Sequence, residues 1–225
     1  LYRGGVALQT YLNVERNGSR YTYLLSGISL IANTKVILTS EKDVWIAFGY
    51  PLQLAHYELN ATATLISLDE LGDSNSILQN FLQLKSGALL TVWYQNVKGL
   101  GGRNIGFSYK TDTGWQVFYQ WLADIYPGGV PVSQIVTAQQ TDDSIWCFTN
   151  KDGYDYLSAI RLYESAGVLI VDEIYNPLIG ISQPLSPDGE LAWLAALSTE
   201  NGIRLAYQSN ASRQIISIDP WLVKD

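Results

Sequence analysis

Apolar and polar residues alternate along most of this chain in short runs, each broken by a cluster of Ser, Asn, Asp, Thr or Gly. Side chains that change face at every residue belong to half-buried strands, and the interrupting clusters supply turn chemistry. No segment sustains an apolar period of 3.6 residues, so the pattern predicts minimal helix. The runs also recur. Strands ending in Arg20-Tyr-Thr-Tyr23, Leu54-Ala-His-Tyr57, Gly106-Phe-Ser-Tyr109, Ile160-Arg-Leu-Tyr163 and Arg204-Leu-Ala-Tyr207 each place a Tyr just before a turn, and each is followed by a second apolar strand. Upstream of the last four lies a strand carrying Trp45, Trp93, Trp146 or Trp193, itself preceded by a hairpin-type turn.

Four strands per unit, repeating at intervals of roughly 35–55 residues, is the cadence of propeller blades. The expected fold is all-β: one β-propeller domain over residues 1–225, made of five four-stranded antiparallel blades. Four blades fall at residues 35–68, 77–120, 134–172 and 183–218. The fifth combines residues 1–31 with residues 221–225, so that N- and C-terminal strands pair and remove the open edges of the ring. The rival reading is an arc of a larger propeller completed by further sequence. The recurring Trp residues are expected to be core wedges between blades rather than ligand platforms.

Composition narrows the class. Apolar residues make up 47% and charged residues 16%, yet apolar runs such as Gly167–Val171 are strand-sized. They fall short of the roughly 18–20 residues of a spanning helix. The formal charge of −7 and pI near 4.7 disfavour nucleic acid and anionic membrane as partners. Cys147 has no second cysteine to pair with, and with His56 as the one histidine a Cys/His zinc site lacks ligands. No metal or other cofactor is expected. His56 sits in the alternating segment Leu52–Leu59 and reads as a strand residue rather than a catalytic base. The chain lacks Met and starts at Leu1, which is expected of a processed product or an excised domain. Sequons stand at Asn17, Asn60 and Asn210.

Two phrases carry a family resemblance. Gly106-Phe-Ser-Tyr-Lys-Thr-Asp-Thr-Gly-Trp115 resembles the Asp-box of sialidase-type repeat proteins, with Asp112, Gly114 and Trp115 in place but the Ser displaced. Leu185-Ser-Pro-Asp-Gly-Glu-Leu-Ala-Trp193 is similar to the turn of TolB-like propellers. Each covers one blade. The resemblance implies a propeller, with Asp112 capping its own turn and Asp188 and Gly189 shaping a hairpin. A sialidase would also require converging arginines. Arg20, Arg161 and Arg204 lie beside the recurring Tyr and are expected to face solvent.

In a propeller, the loops between blades and between second and third strands gather on one face, where ligands enter. Second-to-third-strand loops are expected at 13–19, 49–52, 95–104, 150–155 and 198–202. On this face the candidate ligand-binding residues are Tyr50, Tyr94, Gln95, Arg103, Tyr126, Asp152, Asp155, Tyr175 and Asn176. Aromatic rings stack on sugars while amides, carboxylates and Arg bind hydroxyls; the same residue types serve protein contacts. The Gly-rich stretch 96–104 lacks the ending of a phosphate loop. These features point to a non-catalytic recognition module, extracellular or on a cell or virion surface, whose partner is a glycan or a surface protein. A glycoside hydrolase of five-bladed type is the alternative, drawing on Asp69, Glu70, Asp73, Asp124, Asp172 or Glu173. A structural propeller within a larger assembly is the third reading.

Overall fold

The computed structural model describes residues 9–28, 34–49, 52–71, 76–96, 103–111, 113–121, 132–151, 154–175, 191–200, 202–209 and 213–218. Among them are seventeen strands and no helix. They form an up-and-down succession of antiparallel sheets: β1(Thr10–Arg16) with β2(Ser19–Leu25); β3(Lys35–Leu38), β4(Asp43–Phe48), β5(Gln53–Leu59) and β6(Ala63–Glu70); β7(Ser76–Gln83), β8(Leu89–Asn96), β9(Arg103–Thr111) and β10(Gly114–Trp121); β11(Val132–Gln139), β12(Ile145–Lys151), β13(Tyr154–Ser165) and β14(Val168–Tyr175); and β15(Leu191–Thr199), β16(Gly202–Ser209) and β17(Arg213–Ile218). Three sheets thus have four strands, one has three and one has two among the described residues. Successive four-stranded meanders are the strand arrangement of propeller blades. Residues 221–225 and 1–8, expected to close a ring, lie outside the described residues.

Two compact units divide the chain, Leu1–Gln95 and Asn96–Asp225. In the first, β4 is buried along nearly its whole length, as a strand covered on both faces must be. Beyond β5, the edge strand β6 alternates half-buried and exposed positions, the pattern of a strand with one face in solvent. Hairpin β1–β2 lies over this sheet. Val14, Tyr23 and Leu25 of the hairpin join Val44, Ile46 and Phe48 of β4 and Ala55, Tyr57 and Leu59 of β5 in one core. The Tyr57 hydroxyl donates to the Ser26 carbonyl at 2.7 Å, tying the chain after β2 to β5.

The second unit centres on Ile105, Phe107 and Tyr109 of β9, Ile145–Phe148 of β12, Ala159, Ile160 and Leu162 of β13, and Ile203 and Leu205 of β16, all buried. Gln140 Nε2 donates to Ser198 Oγ at 3.1 Å, linking the turn after β11 to β15. Of the recurring aromatics, Tyr23, Tyr57, Tyr109, Trp45, Trp93 and Trp146 are buried, Tyr163 is half-buried, and the side chains of Tyr207 and Trp193 lie outside those described.

The expected loop at 13–19 is instead strand and turn. β1 runs on to Arg16 and β2 begins at Ser19, paired across a two-residue turn. Asn17 and Gly18 both adopt positive φ, 50° and 76°, the left-handed pair whose twist matches a hairpin. The stretch 198–202 is equally tight, with Thr199 paired to Gly202.

Candidate functional site

Register decides what hairpin β1–β2 shows to the neighbouring sheet. Leu12 pairs with Tyr23, Val14 with Tyr21 and Arg16 with Ser19, and directly paired residues share a face. Leu12, Val14 and Arg16 therefore form one row on β1, beside Tyr21 and Tyr23 on β2. Val14 and Tyr23 are buried in the core. Beyond them the row runs past the apolar sheet, and a cavity of about 790 Å³ opens. Arg16, Asn17 and Tyr21 line it from the hairpin, Leu38, Ser40 and Glu41 from the β3–β4 turn, and Asn60 and Ala61 from the β5–β6 turn.

The lining combines an apolar side (buried Val14 with the exposed Leu38 and Ala61) with an aromatic wall and a polar rim. The Tyr21 ring is 46% exposed. Arg16 is half-buried, and its Nη2 is enclosed without a hydrogen-bond partner. Glu41, Asn17 and Asn60 stand exposed on the rim. Two of the three sequons thus sit at the cavity mouth.

Ser40 is held by its own turn. Its Oγ donates to Asp43 Oδ2 at 2.6 Å and accepts from the backbone N–H of Lys42 and of Asp43. Asp43 Oδ1 contacts His56 Nε2 at 3.2 Å, and the His56 ring stacks on Trp45 at 4.0 Å between centroids. The Ser40 hydrogen bond, followed by His56 and opposed by partial burial, holds the Asp43 carboxyl below its ordinary 3.8. Ser40 bonds to the carboxylate and not to the imidazole, so this chain of contacts lacks the Ser–His link of a nucleophile. His56 is a strand residue in β5, as its alternation indicated.

The second unit repeats the device. Trp146 pairs across strands with Arg161 as Trp45 pairs with His56. Arg161 reaches Asp142 Oδ2 at 3.2 Å, and Asp142 also accepts from the Ser144 hydroxyl. The guanidinium lies over the rings of Trp146 and Tyr163. Arg161 was expected to face solvent, but its side chain is 15% exposed; a turn carboxylate and two rings compensate its charge there. Arg20 and Arg204 are exposed, as expected. A turn acid, a third-strand cation or imidazole and a second-strand Trp recur in two sheets, which makes them scaffold.

Of the residues expected on the loop face, Tyr94 is half-buried in β8. Gln95 lies near the end of β8, Arg103 starts β9, Asp155 is the second residue of β13 and Tyr175 ends β14. Tyr50, Tyr126, Asp152 and Asn176 lie outside the described residues. Among the hydrolase candidates, Asp69 and Glu70 end β6, where Glu70 accepts from Gln53 at 3.5 Å. Asp172 and Glu173 are in β14, and Asp73 and Asp124 lie outside the described residues. The turn cap expected of Asp112 also falls outside them; the described part of that turn is bridged by the Thr111 hydroxyl, which donates to the Gly114 carbonyl at 3.3 Å. Among the described residues, no group of three or more His, Cys, Asp and Glu could hold a metal ion, and no helix is long and apolar enough to cross a membrane.

None of the cavity residues is among the candidate ligand-binding positions, although Asn17 and Asn60 stand in sequons and Arg16 and Asn17 fall in the stretch 13–19 expected on the ligand face. One signal for them existed: Arg16 continues the apolar row Leu12–Val14 at spacing two, a charge where an inward residue belongs.

No protein-family model matches the chain, and no curated protein matches it. Among solved structures it is similar to AofleA from Arthrobotrys oligospora, at 10% identity and TM-score 0.48 over 92% of this chain and 61% of that one. A triple Arg-to-Ala mutant of AofleA aligns with TM-score 0.49. A luciferin-regenerating enzyme aligns at 12% identity and TM-score 0.45, over 88% of this chain and 69% of that one. This chain thus spans less than two thirds of the length of AofleA. Likenesses of this degree assign no ligand or activity here.

Proposed function

We propose that the chain is a non-catalytic recognition module that binds a glycan in the cavity between hairpin β1–β2 and the turns of sheet β3–β6. The observation that carries this reading is the lining itself: an exposed Tyr21 ring beside apolar side chains, ringed by Arg16, Asn17, Glu41 and Asn60. Sugars present C–H faces that pack on aromatic rings, and hydroxyls that both donate and accept. A mixed rim of amide, carboxylate and guanidinium serves both directions. Because glycans of this kind are displayed outside cells, the reading includes a location in the extracellular space or on a surface.

The experiment is an immobilised-glycan array probed with the protein and with Tyr21→Ala. The protein binds at least one glycan class, and the variant loses roughly tenfold or more in affinity. Its melting temperature stays within about a degree, since the ring is already half in water. An array without signal above background, or full binding by the variant, overturns the reading.

The same reading includes five blades closed into a ring, supported by the recurrence of Tyr and Trp at equivalent strand positions. Deleting residues 221–225 then lowers the melting temperature by several degrees; an unchanged melting curve refutes closure.

A further inference from the structure

We infer that the glycan carries a carboxylate and that Arg16 is the residue that anchors it. This rests on the glycan reading of the cavity above. Arg16 stands where the inward row of β1 leaves the core, lines the cavity, and keeps an enclosed Nη2 without a hydrogen-bond partner. A guanidinium N–H withdrawn from water and left unpaired forfeits its hydration with nothing in return. In the repeated scaffold device the cation instead meets a turn carboxylate, Asp142 for Arg161. Among the described residues no acceptor meets Arg16 Nη2, and a ligand can supply one.

The shape of the group selects the ligand chemistry. Guanidinium is a planar fork that matches a carboxylate with two parallel hydrogen bonds, and it is more weakly hydrated than ammonium, so a lysine would lose more on enclosure. A neutral hydroxyl accepts from one N–H and leaves the charge uncompensated. A densely sulfated chain meets the opposite difficulty. Glu41 faces the same cavity, Glu15 flanks it, and the whole chain carries −7. Arg16 is the one cation among the described lining residues, and a single positive group beside these acids admits one negative charge per bound unit. Glu41 and Asn60 then remain to accept from or bridge the ring hydroxyls, with Tyr21 against the sugar face. A uronic-acid unit satisfies all three requirements.

The test uses a uronic-acid oligosaccharide, its carboxyl-reduced neutral counterpart and a sulfated analogue, titrated calorimetrically against the protein, Arg16→Gln, Arg16→Lys and Tyr21→Ala. The acidic oligosaccharide binds roughly tenfold or more tightly than the reduced form. Arg16→Gln abolishes that difference, Arg16→Lys retains a part of it, and Tyr21→Ala weakens both forms alike. The preference also shrinks as salt is raised. Should Arg16→Gln fail to fold, Arg16→Lys and the salt series decide. Equal affinity for acidic and reduced forms, with loss of both on Tyr21→Ala, overturns the inference while leaving the glycan reading intact. Tightest binding of the sulfated analogue overturns the carboxylate assignment. Absence of binding by all three removes the glycan reading as well.

Discussion

Asp43 and Tyr57 are linked to pH in opposite directions. Asp43 has a folded pKa below its ordinary 3.8, with the Ser40 hydrogen bond as the largest cause. Its contribution to stability is therefore complete above the ordinary carboxylate value and is lost as pH falls through the lowered one. Urea midpoints of the protein and of Asp43→Asn differ above the ordinary 3.8 and converge as pH falls below it. A gap that persists undiminished at low pH contradicts the assignment. Tyr57 behaves in the reverse sense. Burial pushes its phenol from 10.0 up to about 12, so the neutral form is the folded one, and its contribution disappears as pH rises through that range. Tyr57→Phe removes the hydrogen bond to the Ser26 carbonyl and costs about 1 kcal/mol near neutral pH. The cost is bounded because Ser26 is exposed and its carbonyl can take water instead. The same variant softens the alkaline loss of stability, which chemical denaturation between about pH 9 and 12 measures.

At the scale of the element, hairpin β1–β2 shows what the sequence made legible. Its two strands follow from alternation, and the burial of Tyr23 follows from the recurring Tyr, since Tyr57 and Tyr109 at the matching positions of two other sheets are buried too. The tightness of its turn was underestimated: a long loop was expected where Asn17 and Gly18 take left-handed conformations. The role of Arg16 was not legible, because it depends on which neighbouring turns face the open end of the hairpin. Alternation within β1 fixes the face of Arg16 but not what lies opposite. Nothing stands within 4 Å of the Cβ that Gly18 would gain, so the effect of Gly18→Val is purely conformational. The substitution costs about 1–3 kcal/mol through the positive φ and loosens the end of the hairpin that carries Arg16 and Tyr21. On the proposed glycan reading, affinity then falls even at temperatures where circular dichroism shows the variant fully folded. Unchanged affinity means that the hairpin tip does not shape the cavity.

For the whole molecule, the proposal of a closed ring has a consequence for how stability is shared. A ring in which each blade supports the next unfolds as one cooperative body, whereas two units with separate cores can open one at a time. Cys147 reports on the second unit: it is fully enclosed, and burial pushes its thiol well above the usual range. A thiol reagent therefore labels it through opening of the surrounding sheet, at a rate set by the free energy of that opening when reclosing is fast. Ile46 is enclosed in β4 of the first unit and Leu205 in β16 of the second. Ile46→Ala and Leu205→Ala are each expected to cost about 2–5 kcal/mol. Both are large against a domain stability of roughly 5–15 kcal/mol. If closure couples the units, each variant speeds Cys147 labelling by about 100-fold for every 2.7 kcal/mol or so of its own destabilisation. If only Leu205→Ala speeds labelling, the second unit opens alone, and the recurring Tyr and Trp positions build two independent bodies rather than one ring.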